Sequence, residues 1–92
     1  MTSKELLKIV NQAKVAADPL RFIEKTMIAA IREETGAVVE LTFYAKNEIS
    51  MSADEPKHLE SANKIMVQAG LVEIDRADFF NEDGYGLIYY RF

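Results

Sequence analysis

The 92-residue sequence predicts a single α+β domain, α-α-β-β-α-β-β, whose four strands form one mostly antiparallel sheet with the helices packed on one face. Three observations predict it. Apolar residues recur at helical spacing as far as Gly36 and again between Pro56 and Ala69. They alternate at period 2 from Val38 to Ala53 and again from Val72. Cap and stop residues stand where the period changes, and no linker, repeat or low-complexity stretch divides the chain.

The most clearly specified element is a helix over residues 18–35. Asp18 offers a carboxylate to an unpaired amide at the N-cap, and Pro19 at the first helical position has a preset φ and no amide to leave unpaired. Leu20, Ile23, Met27, Ala30 and Ile31 form an apolar stripe, which Ile28 and Ala29 widen. Gly36 suits the left-handed position that closes a helix, although Glu33 and Glu34 oppose the dipole there. Ahead of it, Thr2 and Glu5 have capping-box spacing, and Leu6, Val10, Ala13 and Ala17 make a narrow stripe. These predict a first helix, joined to the second in a hairpin or elbow because the connection at Ala17 and Asp18 is short.

Val39, Leu41, Phe43 and Ala45 then alternate with Val38, Glu40, Thr42 and Tyr44. After Lys46-Asn47, Ile49, Met51 and Ala53 alternate with Glu48, Ser50 and Ser52, so the two runs read as a β-hairpin. Asp54-Glu55-Pro56 supplies capping carboxylates and a first-turn proline for a third helix carrying Leu59, Ala62, Ile65, Met66 and Ala69. Gly70-Leu71 fits a Schellman stop. Val72 and Ile74 alternate with Glu73 and Asp75 in a third strand, a loop is expected over residues 75–86, and residues 87–92 form a β-prone last strand. With the helices over Val39, Leu41, Phe43, Ile49, Met51, Val72 and Ile74, the opposite face carries Glu40, Tyr44, Glu48, Glu73 and Asp75. Hairpin pairing makes neighbours of strands one and two and of three and four, and leaves open which strands join the pairs.

Composition narrows the function. Hydrophobic residues at 49% and charged residues at 28% are an ordinary globular balance. With no cysteine there is no disulfide, thiol nucleophile or thiolate metal site, which suits a reducing compartment, so a cytoplasmic location is expected. The opening MTSKELLKIV lacks the apolar core of a signal peptide, and no run approaches the roughly eighteen apolar residues of a membrane span. The net charge of −4 falls mostly after Gly36, a distribution that repels phosphate backbones and favours a basic partner.

Motifs for chemistry are lacking. His58 is the only histidine and has no second ligand of its kind. Aligning Gly84 with the glycine of a calcium loop puts Phe79 at the first ligand position and Tyr90 at the last. No serine stands in a Gly-x-Ser-x-Gly elbow, and the four glycines form no phosphate cradle, Gly84-Tyr85-Gly86 reading as a turn. No catalytic, cofactor or metal site is therefore expected.

The stretch NKIMVQAGLVEIDRADFFNEDGYGLIYYRF, residues 63–92, resembles the closing third of a winged-helix domain, in which a recognition helix ends at Gly-Leu-Val and a wing loop joins two strands. The resemblance implies that Asn63, Lys64 and Gln68 face a major groove and that Arg76 lies on the wing.

The leading expectation is a non-enzymatic, acidic protein-interaction module, a regulator or inhibitor that binds a basic site on another protein. Its expected contacts are Glu40, Tyr44, Glu48, Glu73, Asp75, Asp78, Phe79, Phe80, Glu82 and Asp83. The adjacent rings Phe79 and Phe80 either tuck back onto the core, which their apolar character favours, or offer an anchor to a partner, and one ring of the pair could do each job. A sharper form is a nucleic-acid mimic of the kind found among small phage anti-restriction proteins, a comparison by charge and size. Pairing of two copies through an edge strand or the acidic face is a companion expectation. The alternative is a winged-helix-like DNA-binding transcriptional regulator.

Overall fold

The computed structural model describes Lys8, Gln12 and residues 17–45 and 48–91. Lys8 and Gln12 are helical, whereas Ala17, expected on the apolar stripe of the first helix, is exposed in a bend just ahead of Pro19; the other residues expected in that helix and the Lys46-Asn47 turn lie outside the described residues. The described elements are α1 (Pro19–Thr35), β1 (Val39–Ala45), β2 (Glu48–Ala53), α2 (Pro56–Gln68), β3 (Val72–Phe79) and β4 (Tyr85–Arg91). All strand pairings are antiparallel and the sheet order is β1-β2-β4-β3. The two hairpins thus join through β2 and β4. The last strand is inserted between β2 and β3, and α2 crosses over it.

Helix ends follow local chemistry. Asp18 Oδ1 accepts the Arg21 amide at 3.2 Å, and Gly36, at φ 72°, returns its amide to the Arg32 carbonyl at 3.0 Å. At the end of α2 the Leu71 amide reaches the Met66 carbonyl at 3.1 Å and the Gly70 amide that of Val67 at 3.0 Å, a complete Schellman motif that folds the buried Leu71 back on the helix. The start of α2 differs from expectation. Glu55 is the N-cap residue but its carboxylate makes no capping bond; Glu55 Oε2 and Asp54 Oδ1 both stand 3.4 Å from His58 Nδ1.

Both helices bury one stripe on the same sheet face. Ile23, Met27 and Ile31 of α1 and Leu59, Ala62, Ile65 and Met66 of α2 meet Val39, Leu41, Ile49, Met51, Ile88 and Tyr90 in one core. Leu20 is not part of it. It lies in the first turn of α1, borders an open groove beside β1 and remains 48% exposed.

The third strand departs most from its sequence pattern. Val72 and Ile74, expected in the core, are 46% and 50% exposed. Val72 pairs with Arg91 and Glu73 with Tyr90, a register that puts Glu73 on the helix side. Ile74 is then an extra residue in a bulge, after which Asp75 pairs with Tyr89 and Arg76 with Ile88. The physical reason is position: β3 is an edge strand beyond the helices' cover, so its inward positions need not be apolar. There Arg76 donates through Nη1 to Glu60 Oε1 of α2 at 2.9 Å and through Nε to Glu73 Oε1 at 2.9 Å.

The expected 75–86 loop is shorter too. The ladder continues to Phe79 opposite Tyr85, leaving a tight connection in which the Phe79 carbonyl accepts the amides of Glu82, Asp83 and Gly84. Tyr85 and Gly86 therefore belong to a strand, not a turn. Among the described residues, no helix is long and apolar enough to cross a membrane.

Candidate functional site

No described element covers the second face of the sheet, and the registers place its side chains. Glu40, Ser52, Leu87 and Ala77 form one row across the four strands, and Thr42, Ser50, Tyr89 and Asp75 form the next. The β2 members of both rows are serines, whereas β1 and β4 carry larger residues. A shallow trough of about 580 Å³ results, with Ser50 and Ser52 as its floor. Val38, Glu40, Thr42 and Tyr44 wall one side, Tyr85 and Leu87 the other, and Asp54 stands at the end of β2.

At one end the trough is bordered by aromatic rings. Tyr44 is displaced by a register shift in β1, and its ring meets that of Tyr89 with centroids 5.9 Å apart. Ser50 Oγ donates to Tyr44 Oη at 3.2 Å, and the overhang leaves Ser50 buried. Partial desolvation, with Tyr44 beside it, raises the Tyr89 phenol above its ordinary value. Near the other end Phe79 packs against Tyr85, with ring centroids 5.2 Å apart. The charged members of the lining are Glu40 and Asp54, both exposed carboxylates.

The residues expected to bind a partner are divided by this fold. Glu40, Tyr44, Glu48, Asp75 and Phe79 share the open face. Glu73 and Asp78 lie on the helix side, where Glu73 pairs with Arg76 and Asp78 Oδ1 accepts the Phe80 amide at 3.0 Å. Phe80 packs partly buried against the core, and Glu82 and Asp83 are exposed in the connection between β3 and β4. The Phe79-Phe80 pair thus splits between the two faces.

Sequence reading missed Ser50, Ser52, Asp54, Tyr85 and Leu87 as a group. The polar alternation of Glu48, Ser50 and Ser52 was the available signal, but their meeting with Tyr85 and Leu87 depends on β4 lying beside β2. Of the residues the winged-helix resemblance singled out, Lys64 and Gln68 are exposed on α2. Asn63 Oδ1 accepts a hydrogen bond from Tyr90 Oη at 2.5 Å, and Arg76 lies within β3 between two carboxylates.

A second groove, of about 620 Å³, lies between the first half of α1 and β1. It mixes Asp18 and Glu24 with Arg21 and Lys25, so it favours no sign of ligand charge. Among the described residues, no group of three or more histidine, aspartate or glutamate side chains is placed to hold a metal ion.

No family model and no curated protein matches the chain. A solved structure from work on modulating heme redox potential through protein-induced porphyrin distortion is similar at a TM-score of 0.36 and 13% identity, over 97% of this chain and 57% of that one. The chain thus spans little more than half of that protein, and a likeness at this level carries no argument about ligand or function.

Proposed function

We propose that this protein is a non-enzymatic interaction module whose open sheet face binds a basic segment of another protein. The observation that carries the reading is the composition of that face: Tyr44, Tyr85 and Tyr89 stand among Glu40, Glu48 and Asp75, with Arg91 opposite Glu48 as the basic residue and no described element over them. Tyrosines supply large, rigid contact area with a polar tip, and carboxylates among them select a cationic partner. In the cytoplasm, which the absence of cysteine suits, such a module acts as a regulator or inhibitor. Nucleic-acid mimicry is the narrower form of the same proposal. It draws less support, because the carboxylates are distributed over both faces and the β3–β4 connection instead of following one ladder.

The test is fluorescence anisotropy of a labelled arginine-rich dodecapeptide and, separately, of labelled duplex DNA, each titrated with the protein at low and high salt. The reading expects peptide binding that the combined Glu40→Lys, Glu48→Lys and Asp75→Lys variant abolishes while the domain stays folded, and no DNA binding. DNA binding that weakens steeply with salt, and falls in Lys64→Ala or Arg76→Ala, would replace this reading with the DNA-binding regulator.

A further inference from the structure

We infer that the trough on the open face receives a single arginine side chain of the partner, its guanidinium held by Glu40 and Asp54 beside the ring of Tyr85. This rests on the reading of the open face as a partner surface and specifies what enters it.

Shape limits the occupant first. The walls stand on β1 and β4, two strand spacings apart, or about 9–10 Å between backbones, with only serine side chains rising between them. That gap admits one extended side chain and excludes a further strand or helix. Charge selects next. The lining contains the carboxylates of Glu40 and Asp54 and no basic side chain, so it attracts a cation and repels an acid. Glu40 lies opposite Ser52, and Asp54 follows two positions later on the same chain, which puts both carboxylates toward the end of the trough away from Tyr44 and Tyr89.

The remaining groups separate arginine from lysine. Ser52 and Thr42 offer hydroxyl acceptors along the floor and wall, and Tyr85, backed by Phe79, offers an aromatic surface. A planar guanidinium with five donors in a fixed fork can engage a carboxylate, a hydroxyl and a ring together, whereas an ammonium acts as a point charge. Leu87 and Val38 supply apolar contact for the methylene stem.

The experiment titrates the full 15N-labelled chain with the blocked pentapeptide acetyl-Gly-Ser-Arg-Ser-Gly-amide and with analogues carrying lysine or citrulline in place of arginine. The arginine peptide is expected to shift the amides of Glu40, Ser52, Asp54 and Leu87. Citrulline, matched in shape but uncharged, is expected to bind at least about tenfold more weakly, with lysine between the two. Ser52→Leu, which fills the floor without changing charge, and the near-isosteric Glu40→Gln should each remove the arginine-peptide shifts. Equal binding of the citrulline peptide overturns the inference, as do shifts confined to another surface. If the arginine-rich dodecapeptide binds and the Lys-substituted triple variant abolishes it, while Ser52→Leu and Glu40→Gln leave it intact, the trough is wrong and the open face stands. If neither peptide binds, both fall.

Discussion

The Tyr90 hydroxyl of β4 donates to Asn63 Oδ1 of α2 at 2.5 Å, tying the C-terminal strand, from the middle of the sheet, to the helix that crosses it. The ring is completely buried, and burial pushes its phenol well above the ordinary tyrosine value. A residue near the end of the chain is thereby part of the domain's centre.

Replacing Tyr90 by Phe removes the donor and leaves a half-buried amide oxygen without its partner. A loss of about 1–3 kcal/mol is expected, read as a lower urea midpoint with an unchanged m-value.

The same residue sets an alkaline limit. Tyr89 and Tyr90 are both raised when folded, so above pH 10.0, the ordinary tyrosine value, the unfolded chain releases protons that the folded chain retains. Stability is therefore full below that pH and falls as pH rises through the folded values. Tyr90, the buried member, dominates. Urea midpoints measured from pH 8 upward should decline above pH 10.0 in the native protein and decline less in Tyr90→Phe.

Gly86 is expected to tolerate no side chain. A Cβ there would lie 2.7 Å from two carbons of the Phe80 ring and 2.9 Å from Leu59 Cδ2, where α2, β4 and the β3–β4 connection meet. Gly86→Ala should cost about 1–3 kcal/mol by urea unfolding, and adding Phe80→Leu should recover part of the loss by vacating the ring's volume.

The outer edge of β3 is protected, and that protection is testable. The Phe79 carbonyl points into the hairpin, so ladder alternation sends the Arg76 amide off the sheet edge, where Asp75 Oδ1 accepts it at 2.8 Å. Asp75→Ala should free this edge amide and increase self-association with protein concentration in sedimentation velocity. An unchanged sedimentation coefficient would show that the Ile74 bulge suffices.

Elements governed by neighbouring residues were readable in the sequence. Asp18, Pro19 and Gly36 bounded α1 because capping is local, and Gly70-Leu71 ended α2 for the same reason. The alternation of β1 and β2 was clear because one face is buried and the other open. What depended on partners distant in sequence was not readable. The phase of Val72, Glu73 and Ile74 is set by Arg91 and Tyr90 across the ladder, and nothing local announces the bulge. The trough requires the β2–β4 pairing, which hairpin rules do not reach. About half of the expected contact residues share the open face, since placing Glu73 there assumed a phase that β3 does not have, and Asp78, expected in a loop, belongs to the strand.

The open sheet face, and not the outer surface of α2, is proposed to meet the partner. Amide chemical-shift mapping tests it most directly, with the labelled chain titrated first with the arginine-rich dodecapeptide and then, in a separate sample, with duplex DNA. Peptide-induced shifts are expected at Glu40, Thr42, Tyr44, Ser52, Asp54 and Tyr85, and none with DNA. Shifts at Lys64, Gln68 and their neighbours on α2 upon DNA addition, with the open face silent to the peptide, would contradict it.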